Sequence, residues 1–196
     1  GPRRGGPPGG GGWGPAGPPP VFSIATTREH GDVPWPCFSF WDWGEASALP
    51  WPDQARAMFS ASEARGYADR VGQAFWRGSD NGKFVREDGS VSGKRKPLVA
   101  LADADPTIYN ARFTRSTSPL SHVLLQDHCQ YKLLPNLAGE TYSARTKYLL
   151  ACGSVVLQAE DPHFEFFQPL LQAGKHFVPV AADASDLPAR VGALLG

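Results

Sequence analysis

Thr141, Ser143 and Arg145 lie close together in GETYSARTKYLLACGSVVLQ, residues 139–158, just where an apolar run reads as a short helix passing into a strand. The first N–H groups of a helix have no partner inside it, and the helix dipole adds partial positive charge at that end. Two hydroxyl donors and the planar fork of an arginine would complete an anion site suited to phosphate oxygens. A plainer reading also fits: Thr141 or Ser143 caps the helix and Arg145 is a surface residue. A second stretch, WRGSDNGKFVRE (76–87), follows a short apolar segment. There Gly78 would let backbone approach a ligand, Ser79 would offer a hydroxyl, and Arg77 or Arg86 would bring charge. Two such loops, each after a strand and each carrying arginine, point together to a diphosphate-bearing ligand.

Other chemistries find no foothold. GxxxxGK[ST] and GxSxG are absent, and the letters of GxGxxG occur only inside the Gly/Pro tract of residues 1–20, with no apolar strand before them, which removes the familiar phosphate-loop, dinucleotide and hydrolase motifs. The spacing of His122, His128 and Cys129 matches no standard metal site, so these read as structural residues. Asp32, Asp42, Asp103 and Asp127 are available carboxylates, and none is marked out as a general base.

The elements that must hold the two loops follow from pattern. Strands are expected at 73–76, 97–103, 122–126, 131–137, 154–159 and 176–181, and helices at 54–71, 141–152, 162–173 and 186–195. Strands alternating with helices give an α/β fold with a parallel sheet covered on both faces, and ligands of such folds lie beyond the carboxyl ends of the strands. Residues 1–20 are nearly all glycine and proline and read as a disordered tail. Residues 21–53 form an irregular segment rich in aromatics: Trp35, Phe38, Phe40, Trp41, Trp43 and Trp51. They serve either as packing under a long loop or as a wall on which a sugar stacks. Residues 54–196 make up the α/β domain.

Composition sets the remaining bounds. Nineteen Lys and Arg balance nineteen Asp and Glu, so the whole chain has no field that would recruit nucleic acid or an anionic membrane. No run of about eighteen apolar residues is present, so no membrane span is expected. Three scattered cysteines argue against a disulfide framework, while leaving one bridge and the redox compartment open. A start without methionine and an end on GALLG read as a fragment or processed product.

Read in order, FSIATTREHGDVPWPCFSFWDWGE, AFWRGS, LADAD, DHCQYKLLPNLAGETYSARTKYLLACGSVVLQ, FEFFQPLL and KHFVPV resemble the protein O-glucosyltransferases of glycosyltransferase family 90, which include Rumi-type enzymes and fungal capsule-associated (CAP-like) xylosyltransferases. The resemblance covers residues 21–195. It implies a two-lobed fold of glycosyltransferase B type in which this chain supplies the Rossmann-like, C-terminal donor-binding lobe and lacks most of the N-terminal one. It implies inverting, metal-independent transfer of glucose or xylose from a UDP-sugar to a protein or glycan hydroxyl such as serine, in the secretory-pathway lumen of the endoplasmic reticulum or Golgi. Under it, Ser79, Arg86, Glu140, Thr141, Tyr142, Ser143, Ala144 and Arg145 contact the donor, with Arg145 neutralising the diphosphate, and Arg77, Asp103 and Lys132 fall in matching motifs. Phe40, Trp41, Asp42 and Gly44 face the acceptor and the sugar. The catalytic aspartate is expected upstream of Val21, so this chain could bind a nucleotide sugar without transferring it. A noncatalytic binding module and a degenerate gene product are the other readings.

Overall fold

The computed structural model describes residues 19–44, 47–85, 91–114 and 123–196. Most of the expected tail, together with Arg86 and His122, lies outside the described residues. Nine strands and four α-helices are described: β1 (Phe22–Ser23), β2 (Val33–Pro34), α1 (Trp51–Glu63), β3 (Val71–Gly78), β4 (Lys83–Val85), β5 (Val91–Gly93), α2 (Lys96–Ala104), β6 (Tyr109–Phe113), β7 (Tyr131–Asn136), α3 (Thr146–Ala151), β8 (Val155–Ala159), β9 (Val178–Val180) and α4 (Leu187–Leu195).

Five of the strands form a parallel sheet in the order β6-β3-β7-β8-β9. Counted along the chain, that is the 2-1-3-4-5 order of a doubly wound fold, with its topological switch point between β3 and β7. Period-two alternation loads both faces. Ala74, Trp76, Leu133 and Leu157 pack on one side with Leu98 of α2 and Leu187 and Val191 of α4. Phe75, Leu134 and Val156 pack on the other with Met58 of α1 and Tyr148 and Leu149 of α3. The expected α/β architecture is therefore the one observed.

Several local expectations fail, each for a physical reason. PLVALAD (97–103) is helical, in α2, not a strand: proline stands in its first turn, where its missing N–H costs nothing, and Leu98 points to the core while Asp103 stays exposed. HVLLQ (122–126) is no strand where it is described; a 3-10 turn runs over Leu125–Gln130 instead. The 162–173 helix is absent apart from a short 3-10 turn at Gln168–Leu170. β6 lies in a stretch that reads as polar because Asn110 and Arg112 alternate with Tyr109, Ala111 and Phe113, which face the core. The expected helix at 141–152 shrinks to the six residues of α3, and its first N–H groups are already taken, Thr146 N–H by Ser143 O at 3.3 Å and Tyr148 N–H by Arg145 O at 2.9 Å. Cys129 and Cys152 form a disulfide, and Cys37 is free and buried.

Candidate nucleotide-sugar cleft

At the carboxyl ends of β3 and β7 the two loops singled out in the sequence meet. Gly82 sits at φ +82°, and a Cβ there would come within 2.4 Å of Gly139 O, so the loops touch backbone to backbone. Glu140 fastens them: its Oε1 accepts the Gly82 N–H at 3.1 Å. Between the loops and a facing wall of Phe38 and Trp43 opens a cleft of about 820 Å³, at the switch point where such folds bind ligands.

The floor of the cleft is cationic. Arg145 lies with its guanidinium carbon 5.3 Å from the Trp76 ring centre and donates to Arg77 O. Arg95, at the start of α2, lies 5.7 Å from the same ring and is almost wholly buried. It is bound by carbonyl oxygens of Ala138 (3.1 Å), Ser79 (3.0 Å) and Leu137 (3.3 Å) and by the side chain of Asn81. Gly78 makes room: a Cβ there would stand 2.7 Å from Trp76 Cζ2 and 3.2 Å from an Arg145 nitrogen. Burial pushes Arg145 down to about 9, and the Arg95 charge adds to that push. Arg95 is pushed down to about 10, again by burial, against the pull of Asp80 and Glu140. Among the described residues Arg145 has no carboxylate partner.

The other residues named from sequence fall in distinct places. Ser79, Glu140, Thr141, Tyr142, Ser143, Ala144 and Arg77 all line the cleft with Arg145. The Ser143 hydroxyl is spent on Asn136 Oδ1 at 2.7 Å, and the Tyr142 hydroxyl meets the buried Cys37 thiol. Arg77 turns toward Asn110, donating to its backbone O and to Oδ1, both at 2.7 Å. Phe40 packs among Trp51, Phe166 and Phe167 and does not line the cleft, and Trp41, Asp42 and Gly44 are exposed and do not line it either. The aromatic residues that do line it are their neighbours Phe38 and Trp43, whose rings meet edge to face at 5.9 Å. Lys132 stands at the opposite end of the sheet, over Tyr67, and Asp103 in the last turn of α2. His128 also lines the cleft, with Nδ1 on Leu124 O at 3.2 Å.

Sequence reading missed Arg95. In GKRKPLVALAD it looks like one cation in a basic run, and taking the segment as a strand hid that the residue opens a helix just after the β4–β5 hairpin. Proline two positions later was the available signal.

A 2-1-3-4-5 parallel sheet with a cationic cleft at its switch point defines a Rossmann-like α/β domain. The chain belongs to glycosyl transferase family 90, whose sequence profile matches residues 13–192. It is similar to the "O-glucosyltransferase rumi homolog" of Aedes aegypti, 31% identical with 85% of this chain and 43% of the relative covered. It is similar to "Protein O-glucosyltransferase 1" of Homo sapiens, 32% identical with 86% and 45% covered, and to "O-glucosyltransferase rumi" of Drosophila melanogaster, 29% identical with 89% and 44% covered. The chain thus spans less than half the length of these relatives. No described helix is long and apolar enough to cross a membrane.

Proposed function

We propose that the cleft holds the diphosphate of a UDP-sugar between Arg95 and Arg145, and that this chain supplies the donor side of an inverting transfer of glucose or xylose to a hydroxyl, that of a protein serine. The observation that carries the reading is the pair of guanidinium groups, buried Arg95 and half-buried Arg145, on one indole at the switch point of the sheet. The names of the relatives favour glucose and a protein acceptor. As the bond between sugar and diphosphate breaks, charge grows on the leaving oxygen, and cations already fixed in place stabilise it without reorganising. Because two guanidinium groups supply that charge, the reading requires no divalent ion, and a chelator should leave binding unchanged.

Deprotonating the acceptor needs a carboxylate within hydrogen-bond reach of its hydroxyl. Glu140 lines the cleft but is held by Gly82 N–H on the diphosphate side, so the reading assigns it to closing the loops and gives the base to another carboxylate. Donor binding with slow or no transfer is therefore the behaviour expected of this chain by itself. The Cys129–Cys152 bridge favours an oxidising compartment such as the secretory-pathway lumen. The test is UDP release from UDP-glucose and UDP-xylose, with and without a serine-containing acceptor. Faster release from one donor names the sugar, and acceptor-stimulated release comparable with that of a complete glycosyltransferase would show that the base is already in this chain.

A further inference from the structure

Beneath the cleft, a buried polar cluster joins three segments that are distant in sequence. Glu165, in the loop after β8, is fully buried; its Oε1 accepts the Cys37 thiol at 3.3 Å, and Oε2 has no hydrogen-bond partner among the described residues. The same thiol meets the Ser39 hydroxyl at 2.8 Å and the Tyr142 hydroxyl. Lys147, also buried, donates to Ser39 Oγ and to Ala144 O at 3.1 Å, with its ammonium 4.3 Å from the Phe40 ring centre. Tyr148 donates to Ser39 O at 2.7 Å. Apart from the Cys37–Ser39 and Lys147–Ala144 bonds, these contacts tie residues 37–40, which include Phe38 and lead to Trp43, either to the 142–148 segment or to Glu165.

Lys147 and Glu165 are the two opposite charges of this cluster. Each offsets part of the other's desolvation, although they are not in direct contact. Neither lines the cleft. Their contacts join the aromatic segment to the 142–148 segment and to the loop after β8, so an uncompensated charge left among them would disturb that junction.

We propose that Lys147 and Glu165 are positioning residues that hold the aromatic wall in register with the Glu140–Arg145 loop, and so set the grip of the cleft on the sugar end of a nucleotide sugar. The proposal rests on the UDP-sugar reading. The diphosphate is assigned to Arg95 and Arg145 on the sheet side, whereas the aromatic wall belongs to a separate segment and offers faces on which a pyranose stacks. Losing the register therefore weakens the sugar contact and spares the diphosphate.

The experiment is calorimetric titration of the full chain with UDP and with UDP-glucose, for the wild type, Glu165→Gln, Lys147→Met and the double variant, with thermal unfolding of each. Each single variant should weaken UDP-glucose binding about tenfold and UDP binding less than about twofold. The double variant should recover to within about threefold of wild type, because it leaves no charge uncompensated. Should the charged variants fail to fold, Cys37→Ala removes the link without unpairing a charge and carries the same expectation. A merely structural role lowers the competent fraction and scales both affinities equally. Equal losses for the two ligands, or no loss for either, would overturn the proposal while leaving the UDP-sugar reading intact. A wild-type chain that binds neither ligand would overturn both.

Discussion

Arg95 and Arg145 share one indole: their guanidinium carbons lie 5.7 and 5.3 Å from the centre of the Trp76 ring, the Arg95 charge opposes that of Arg145, and while Asp80 and Glu140 act on Arg95, Arg145 has no ion-pair partner among the described residues. An anion bound between them relieves that repulsion. Arg145→Ala should therefore cost about 1.5–3 kcal/mol of UDP affinity, the range of a hydrogen bond to a charged group. Arg145→Lys should recover only part of it, because an ammonium cannot reproduce the planar fork. Calorimetry on the two variants decides this.

Gly78 is where backbone, indole and guanidinium converge. The Cβ of Gly78→Ala would collide with Trp76 and crowd Arg145, so the variant should lose about 1–3 kcal/mol of stability as an overpacked site does. It should also bind UDP more weakly. Thermal unfolding and titration read the two effects separately, and an alanine variant that melts and binds as wild type would contradict the arrangement.

How far the sequence announced this site depends on the residue. The loops around Gly78 and Arg145 were legible because each follows an apolar strand whose pattern is strong, and β7, β8 and β9 were legible for the same reason. Arg95 was not, since a short apolar helix of nine residues and a buried strand share a composition, and only capping distinguishes them. Phe38 and Trp43 could not be separated from Phe40 and Trp41, because an irregular segment has no period to say which rings face inward. The Cys129–Cys152 bridge was open in the sequence: two cysteines 23 residues apart carry no information about whether α3 will bring them together.

That bridge ties the 3-10 turn before β7 to the end of α3. Closing a loop of this length should contribute about 3 kcal/mol by constraining the unfolded chain. Cys152→Ser, or reduction of the wild type, should lower the melting temperature accordingly. Equal melting with and without reductant would mean that the bridge does not form in solution.

His128 gives the fold a pH dependence. Burial, with help from the Arg145 charge, pushes its imidazole down to about 4, so the folded protein keeps it neutral while the unfolded chain protonates near the ordinary value of 6.5. Between these values the unfolded state binds more protons, and stability falls as pH falls. The contribution is complete above about pH 6.5 and, on the order of 3 kcal/mol, is lost by about pH 4. Denaturant unfolding across that window should show a steeper decline for wild type than for His128→Leu. Parallel profiles would remove His128 as the cause.

The central claim is that the cleft recognises a diphosphate carried by a nucleoside. It is tested most directly by calorimetric titration of the protein with UDP and with uridine under identical conditions. UDP should bind at least about tenfold more tightly than uridine, as expected when the diphosphate gains charge-assisted contacts to Arg95 and Arg145. Equal affinities, or no binding of UDP by a protein shown to be folded, would contradict the account.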